Sequence, residues 1–390
     1  MSYGVGLRNG VAFALGTIPS LTSGGGLRPS LLLNFLGGTL DSRITFSRGT
    51  QATQYTSNGT LQYAPNNLLT YSNQADNAAW TKSNSFVQTN LLTFSDAAVA
   101  NYVSITAPVV NITPIVGFTN SVYFPYTPAG NIVAYKSFTV TTNTLYTVSV
   151  YVQMDDNSAP VLSSSSSSGD LTLVVDNNPA PLNLTVTSVG SGVYRVSASY
   201  TTATFSGTNI GVVKYNTQSA KGFKVTGLQL VQGSVPGDYV ATTSAALPVL
   251  YASYNGVVRA RKFCEDATAT VGHQVQQTVT SAIAAYTTSV YAKAGERTKF
   301  ALDMSDNLTG DVAVGFDLVS GTTYSPSTGG SWSNLTASIT SIGNGWYRCS
   351  ISALRGAGTG IISKIILANA AAATNYTGDG SSGIYIADAQ

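Results

Sequence analysis

Two stretches of this chain alternate strictly between apolar and polar positions, and each is a copy of the other. Tyr194, Val196, Ala198 and Tyr200 share one face of a predicted strand, with Arg195, Ser197 and Ser199 on the other. Tyr347, Cys349, Ile351 and Ala353 repeat the apolar face, against Arg348, Ser350 and Ser352. Such alternation marks a strand with one side in a core and one in water. Both strands follow a glycine-rich turn, Ser188-Val189-Gly190-Ser191-Gly192 and Ser341-Ile342-Gly343-Asn344-Gly345, suited to the positive φ of a tight hairpin. Two further landmarks recur in the same order. Leu145-Tyr146-Thr147-Val148-Ser149-Val150-Tyr151-Val152 matches Ala285-Tyr286-Thr287-Thr288-Ser289-Val290-Tyr291-Ala292, and Gly227-Leu228-Gln229-Leu230 matches Gly383-Ile384-Tyr385-Ile386. Three landmarks in one order define a duplication, so two antiparallel β domains are predicted.

Composition agrees with that pattern and narrows the partners. Only 9% of the 390 residues are charged, against about 25% in an ordinary domain. Ser, Thr, Asn, Gly and Tyr take their place, and Glu occurs only at Glu265 and Glu296, so strong helix formers are scarce. At roughly 150 residues, each repeat is long enough to bury about two-thirds of its unfolded surface. A net charge of +2 without basic clusters argues against nucleic acid as the main partner. No apolar run reaches about 18 residues, so membrane insertion is not expected. Val11-Ala12-Phe13-Ala14-Leu15 could pass for a signal-peptide core, but Gly16 and Pro19 interrupt it and no small-x-small cleavage site follows. Cys349 takes the apolar position that Val196 fills in the other copy and reads as a small core hydrophobe; the alternative is a disulfide with Cys264.

Along the chain, residues 1–29 read as an apolar, glycine-rich arm that ends in a flexible Gly24, Gly25 and Gly26 connection. Residues 30–65 read as short strands and turns, with an Asn58-Gly59 hairpin signal between Tyr55 and Leu61. The first repeat is expected over residues 66–244 and the second over 245–390, where the closing strand runs only to Ala387-Asp388-Ala389-Gln390. That short end suggests a longer fibre, or completion by another subunit.

Several of these segments resemble structural proteins of tailed bacteriophages. The leader Leu40-Asp41-Ser42-Arg43-Ile44-Thr45-Phe46-Ser47-Arg48, Ala52-Thr53-Gln54-Tyr55 and Asn58-Gly59-Thr60-Leu61 precedes Asn67-Leu68-Leu69-Thr70-Tyr71-Ser72 and Asn77-Ala78-Ala79-Trp80-Thr81-Lys82. Ser289-Val290-Tyr291-Ala292-Lys293-Ala294-Gly295, Phe316-Asp317-Leu318, Gly343-Asn344-Gly345-Trp346-Tyr347-Arg348 and Tyr376-Thr377-Gly378-Asp379-Gly380 are similar to jelly-roll modules of phage tail and fibre proteins, themselves similar to carbohydrate-binding jelly rolls. The second repeat is the stronger match. The resemblance implies an all-β chain: an N-terminal arm followed by tandem antiparallel jelly-roll β-sandwich domains. It also implies a tail-fibre or appendage subunit of the virion, assembled in the host cytoplasm. Partners would be other virion proteins (a tail or portal-proximal adaptor, or capsid), further copies in a homotrimer, and a bacterial surface glycan. Residues 1–25 resemble virion-attachment arms, with Tyr3, Leu7, Phe13 and Leu15 as the contacts. A capsid decoration protein and a secreted polysaccharide-binding or polysaccharide-cleaving module are the alternatives.

Candidate chemistry is thin, and no enzyme is expected. His273 is the only histidine and has no nucleophile-elbow sequence beside it. Asp155-Asp156 reads as a solvated turn rather than a glycosidase carboxylate pair. No cofactor is expected, although Asp379 sits in an oxygen-rich turn that would suit structural calcium, as related jelly rolls often hold. Ser163 to Ser168 is low-complexity loop. Aromatics are the better lead. Trp346 is predicted to face away from the core beside Arg348, and Trp332 follows Tyr324 in a Ser/Gly/Thr-rich loop. These four residues are the candidate glycan or interface contacts, with the interface favoured in an oligomer.

Overall fold

A computed structural model describes residues 67–95, 114–126, 130–164, 168–175, 183–202, 208–306, 308 and 310–390, together with the backbone of six short strands elsewhere. Two units emerge, Met1–Asn66 and Asn67–Gln390. In the first, Gly4–Gly6 pairs antiparallel with Ala12–Ala14, setting Phe13 opposite Val5. Thr53–Tyr55 pairs with Leu61–Tyr63, and Tyr55 faces Leu61 as the turn signal predicted. Tyr3, Leu7 and Leu15 lie outside the described residues.

The second unit is the β body, and every ladder in it is antiparallel. Its first sandwich has a six-stranded sheet in the order Asn183–Gly190, Val193–Thr201, Leu145–Met154, Phe223–Gln232, Val122–Phe124, Val109–Val110. A four-stranded sheet faces it, in the order Thr172–Val174, Asn209–Lys214, Ile132–Ser137, Ser104–Thr106. Between them pack Val148, Val150, Val196, Ala198, Tyr200, Val212, Phe223 and their neighbours. In the second sandwich the larger sheet runs Leu250–Ala252, Val258–Glu265, Gly383–Ala387, Ala285–Ala294, Trp346–Arg355, Trp332–Gly343. The facing sheet runs Thr322–Thr328, Asp311–Asp317, Lys299–Ser305, Gly360–Ala368, Gln274–Thr280, Thr81–Ser83. The duplication and the alternation are therefore real. Cys349, Ile351 and Ala353 lie in the second core as Val196, Ala198 and Tyr200 lie in the first. The turns match as well, with φ of +97°, +53° and +72° over Gly190, Ser191 and Gly192 and +91°, +54° and +75° over Gly343, Asn344 and Gly345.

A unit boundary does fall at residue 66, but the expected start of the first repeat there needs correction. Residues 67–87 belong to the second sandwich, not the first. Thr81–Ser83 pairs with Gln274–Thr280, Ser85–Val87 pairs with Val258–Glu265, and Leu69, Ala75, Trp80 and Val87 fill the second core. The first sandwich is thus inserted into the second. The closing strand meets this same segment: Ala389 N–H donates to Ser72 O at 3.1 Å, and Asp388 N–H to Asn73 Oδ1 at 2.8 Å. The partner of that end in the fold is the chain's own earlier segment. Sequence order hid this, because the flanking strands lie 176 to 195 residues from those they pair with.

An insertion crosses its host twice, and the two crossings form a neck. Thr89 and Asn90 pair antiparallel with Pro248 and Leu247. Gln88, fully buried, donates through Nε2 to Gln232 O at 2.9 Å and Val235 O at 3.0 Å, and accepts from the Tyr251 hydroxyl. Beside it Lys262, also fully buried, pairs with Glu296 at 2.7 Å. Glu296 also accepts from Ser234 Oγ of the first sandwich at 2.8 Å, and Gln232 Nε2 reaches Gly380 O at 2.6 Å. Burial pushes the Glu296 carboxyl up, but the Lys262 charge and the hydrogen bonds outweigh it and hold it below its usual range.

Removing the Glu296 carboxylate, itself about a third accessible, leaves the fully buried Lys262 charge uncompensated. Glu296→Gln should therefore lower the unfolding free energy of the body by about 3 kcal/mol in a guanidinium titration at neutral pH. Because the folded Glu296 carboxyl is depressed, its contribution is complete above the ordinary glutamate value and lost as pH falls through the folded one. The gap between wild type and variant should accordingly shrink in acid.

Candidate functional site

The larger sheet of each sandwich carries the same cross-strand pair on its outer face. Tyr151 stands opposite Arg195 in the first and Tyr291 opposite Arg348 in the second, with the arginine over the ring at 5.6 Å and 5.7 Å. The alternation predicted water on this side, and the two copies answer differently. In the first, residues 233–240 fold back over the sheet: Thr147 Oγ1 donates to Gly233 O at 2.6 Å, Gln229 Nε2 donates to Pro236 O at 2.6 Å, and Arg195 donates to Gly237 O. Ser197 and Ser199 are consequently buried. A polar face can be covered in this way when backbone groups satisfy its hydroxyls.

In the second copy an aromatic layer covers part of that face. Tyr254 stacks on Tyr291 with centroids 3.8 Å apart, and Arg259 lies over Tyr254 at 5.4 Å while pairing with Asp388. Trp346 belongs to this outer cluster, with Ala260, Ala387, Tyr251 and Tyr385, and not to the core between the sheets. Its predicted side was right and its predicted exposure was wrong, since only 2% of it is accessible. Trp332 is likewise 4% exposed and sits in the main core, with no partner for its indole N–H. Neither tryptophan offers a ring to a ligand. The Ser/Gly/Thr context suggested open loop, but Trp332 opens a strand whose first residue packs inward. Arg348 is exposed and Tyr324 half-buried, on opposite sheets.

Tyr324 instead marks the outer face of the smaller sheet of the second sandwich. Its ring lies over Gly315, where a Cβ would sit 2.1 Å from it, and Lys299 Nζ stands 5.8 Å above the ring. Phe300, Leu302 and Met304 point into the core, leaving Lys299, Ala301, Asp303 and Ser305 on the outer side. Strand register lines up Gln276, Lys364, Asp303 and Ala313 in one row, and Gln274, Ile366, Ala301, Gly315 and Tyr324 in the next. At one end lies an open groove of about 390 Å³, lined by Asp303, Ser305, Leu308, Asp311, Ile362 and Lys364. Asp303 is 6% exposed and pairs with Lys364 at 3.0 Å; burial pushes its carboxyl up, and Lys364 only partly offsets that. The groove can accept and donate hydrogen bonds; the Tyr324 ring does not line it but lies on the same face, two strands across from Asp303 and one row along. Asp303 and Lys364 escaped notice in the sequence, although alternation in Lys299–Ser305 and Gly360–Ala368 would have placed both outside.

The other candidates are structural. His273 is fully buried, with Nδ1 2.6 Å from Asn84 O and Nε2 3.2 Å from Tyr376 O. Asp156 is paired with Lys221 at 2.8 Å in an exposed turn, and Asp155 accepts from the Tyr123 hydroxyl at 2.7 Å. Asp379 accepts from Ser382 N–H at 2.7 Å, Ser382 Oγ at 2.6 Å and Ser381 N–H at 2.9 Å, with Arg297 at 3.3 Å. Arg297 also grips the fully buried Glu265 side chain, with Nε 2.7 Å from Oε2, so the positive charge among these oxygens is a guanidinium of the chain itself. Among the described residues no group of three or more His, Cys, Asp and Glu side chains is placed to hold a metal ion. Also among them, no helix is long and apolar enough to cross a membrane.

Comparison with known proteins adds little. No family model matches the chain, and no curated protein does. One solved structure it resembles is the N-terminal CBM22-1–CBM22-2 tandem domain of Xyn10C from Paenibacillus barcinonensis. The match has 13% identity and a TM-score of 0.25, covering 77% of this chain and 96% of that one. A likeness that distant carries no argument about ligands.

Both cysteines are free and buried, and burial pushes the Cys264 thiol up to about 12. A disulfide-exchange reagent at mildly alkaline pH should therefore modify neither in the folded protein and both in guanidinium. Trp346→Ala should cost about 3–5 kcal/mol of stability, as emptying a packed aromatic site does.

Proposed function

We propose that this chain is a non-catalytic virion structural subunit of a tailed bacteriophage, a tail-fibre or similar appendage, assembled in the host cytoplasm. It attaches through residues 1–29 to other virion proteins and associates with further copies of itself, as a homotrimer. Its body meets the bacterial surface. The sequence resemblance supports the virion part of this reading. The observation that carries the rest is the neck, where Gln88, Lys262 and Glu296 tie two sandwiches into one body that presents an open polar groove. A locked tandem of this kind suits a projecting spacer, which must hold a contact surface at a distance without moving parts.

The groove supports a bacterial surface glycan as the contacted group. Asp303, Asp311 and Lys364 in its lining offer acceptors and donors to sugar hydroxyls, Gln276 continues the Asp303 row, and the ring of Tyr324 lies one row along and two strands across on the same face. Neutral polyols suit a sheet face whose charges are already paired. The same groove favours a second reading, a secreted polysaccharide-binding module. A capsid decoration protein would use the same body along the head surface.

Antibodies raised against residues 67–390 should label the tails of intact particles in electron micrographs. Labelled heads would make the chain a decoration protein, and unlabelled particles would leave the secreted module. Calorimetry against host-surface polysaccharide should show binding that Tyr324→Ala weakens roughly tenfold, the scale of one lost aromatic contact. Undiminished affinity in that variant would remove the Tyr324 ring from the reading.

A further inference from the structure

Sheet edges expose rows of unpaired N–H and C=O groups, and natural sandwiches blunt them with short strands, prolines, charges or bulges. Most edges of this body follow that rule among the described strands. Val109–Val110 has 2 residues, while Thr172–Val174, Ser104–Thr106, Leu250–Ala252 and Thr81–Ser83 have 3 each. Thr322–Thr328 is longer but contains Pro326 and a register shift against its neighbour. Two edges are blunted only by register shifts near their ends, and they occupy the same place in the two repeats. Asn183–Gly190 ends the larger sheet of the first sandwich with 8 residues, and Trp332–Gly343 ends that of the second with 12. Neither contains a proline or a charged residue.

Register makes them equivalent. Val186 pairs with Val196 and Ile339 with Cys349, while Leu184 pairs with Ala198 and Ala337 with Ile351. Asn183-Leu184-Thr185-Val186-Thr187-Ser188 thus matches Thr336-Ala337-Ser338-Ile339-Thr340-Ser341. The ladder is regular over both stretches, and its shifts fall outside them. Leu184 and Val186 lie on the core side of the sheet, opposite fully buried partners, yet are 39% and 41% exposed. All of Asn183–Gly190 is exposed, as is Ala337.

We infer that these two edge strands are where a second copy of this chain adds, strand to antiparallel strand. Self-complementarity selects the partner. An alternation of apolar and hydroxyl residues, turned about a two-fold axis through one residue, sets apolar against apolar and hydroxyl against hydroxyl. With no charge on either edge, copies approach without like-charge repulsion, and because both edges carry one pattern, either fits either. Main-chain hydrogen bonds then extend the sheet across the contact. This builds on the self-association proposed above and names its surface. A two-fold contact of like edges closes as a dimer, whereas a homotrimer takes the heterologous contact, first edge of one copy to second edge of the next. Both are independent of virion location and of glycan binding.

The test is the solution mass of the full chain by light scattering over a wide concentration range. Wild type should associate. Val186→Lys with Ala337→Lys, which puts an amine on each edge, should weaken association at least tenfold with unchanged thermal unfolding. Ile283→Lys with Val161→Lys, at exposed apolar positions off both edges, should leave it intact. Should the first pair fold poorly, Thr187→Lys with Thr340→Lys charges the same edges from their outward side. A wild-type chain that stays monomeric throughout overturns both the edges and self-association. A multimer that survives every edge substitution overturns the edges alone.

Discussion

A lysine with no solvent exposure is tolerable only if something returns the hydration it has lost, and Lys262 is held by Glu296 at 2.7 Å. Around that pair the β body is organised. Glu296 takes a hydroxyl from the first sandwich, and Gln88 bridges carbonyls of the first to a tyrosine of the second. Glu265, the only other glutamate, is gripped nearby by Arg297, whose neighbour in sequence is Glu296. A chain that uses few charges has placed one glutamate in full burial and the other against a fully buried lysine. In water such pairs are worth little; at a buried junction, losing a partner costs far more than the pair contributes to an exposed surface.

The neck also explains how one domain can sit inside another without loosening it. An insertion leaves and re-enters its host through two strands, and an antiparallel ladder between them satisfies their backbone groups locally. Thr89, Asn90, Leu247 and Pro248 form that ladder, and Asn90 adds a side-chain bond to Val240 O at 2.9 Å. The host sandwich meanwhile keeps its early segment, so residues 67–87 seal its core beside the closing strand.

Duplication fixed the framework and left the surfaces free to diverge. Both copies keep the core-facing row, the turn, the Tyr–Arg pair and the bare edge strand. The outer face of the larger sheet is closed by a returning backbone segment in the first and covered in part by stacked tyrosines in the second. In the second sandwich the smaller sheet leaves a polar groove open. Faces and edges thus carry separate tasks in the readings offered above: a face for a soluble or surface-bound polyol, an edge for another copy.

The sequence by itself determined the all-β class, the duplication, the hairpin turns and the inward row of each central strand. These depend on period-two alternation and on backbone angles that a few glycines permit, which are local properties. It also determined that Cys349 would replace Val196 in a core, because the copies could be read against one another. Only the tertiary structure decided the rest. That Trp346 would be covered, that Asp303 would meet Lys364, and that residues 67–87 would serve the second sandwich all depend on strands meeting across long stretches of chain. Alternation says which side of a strand a residue occupies; whether anything then packs over that side is settled by elements that arrive from elsewhere.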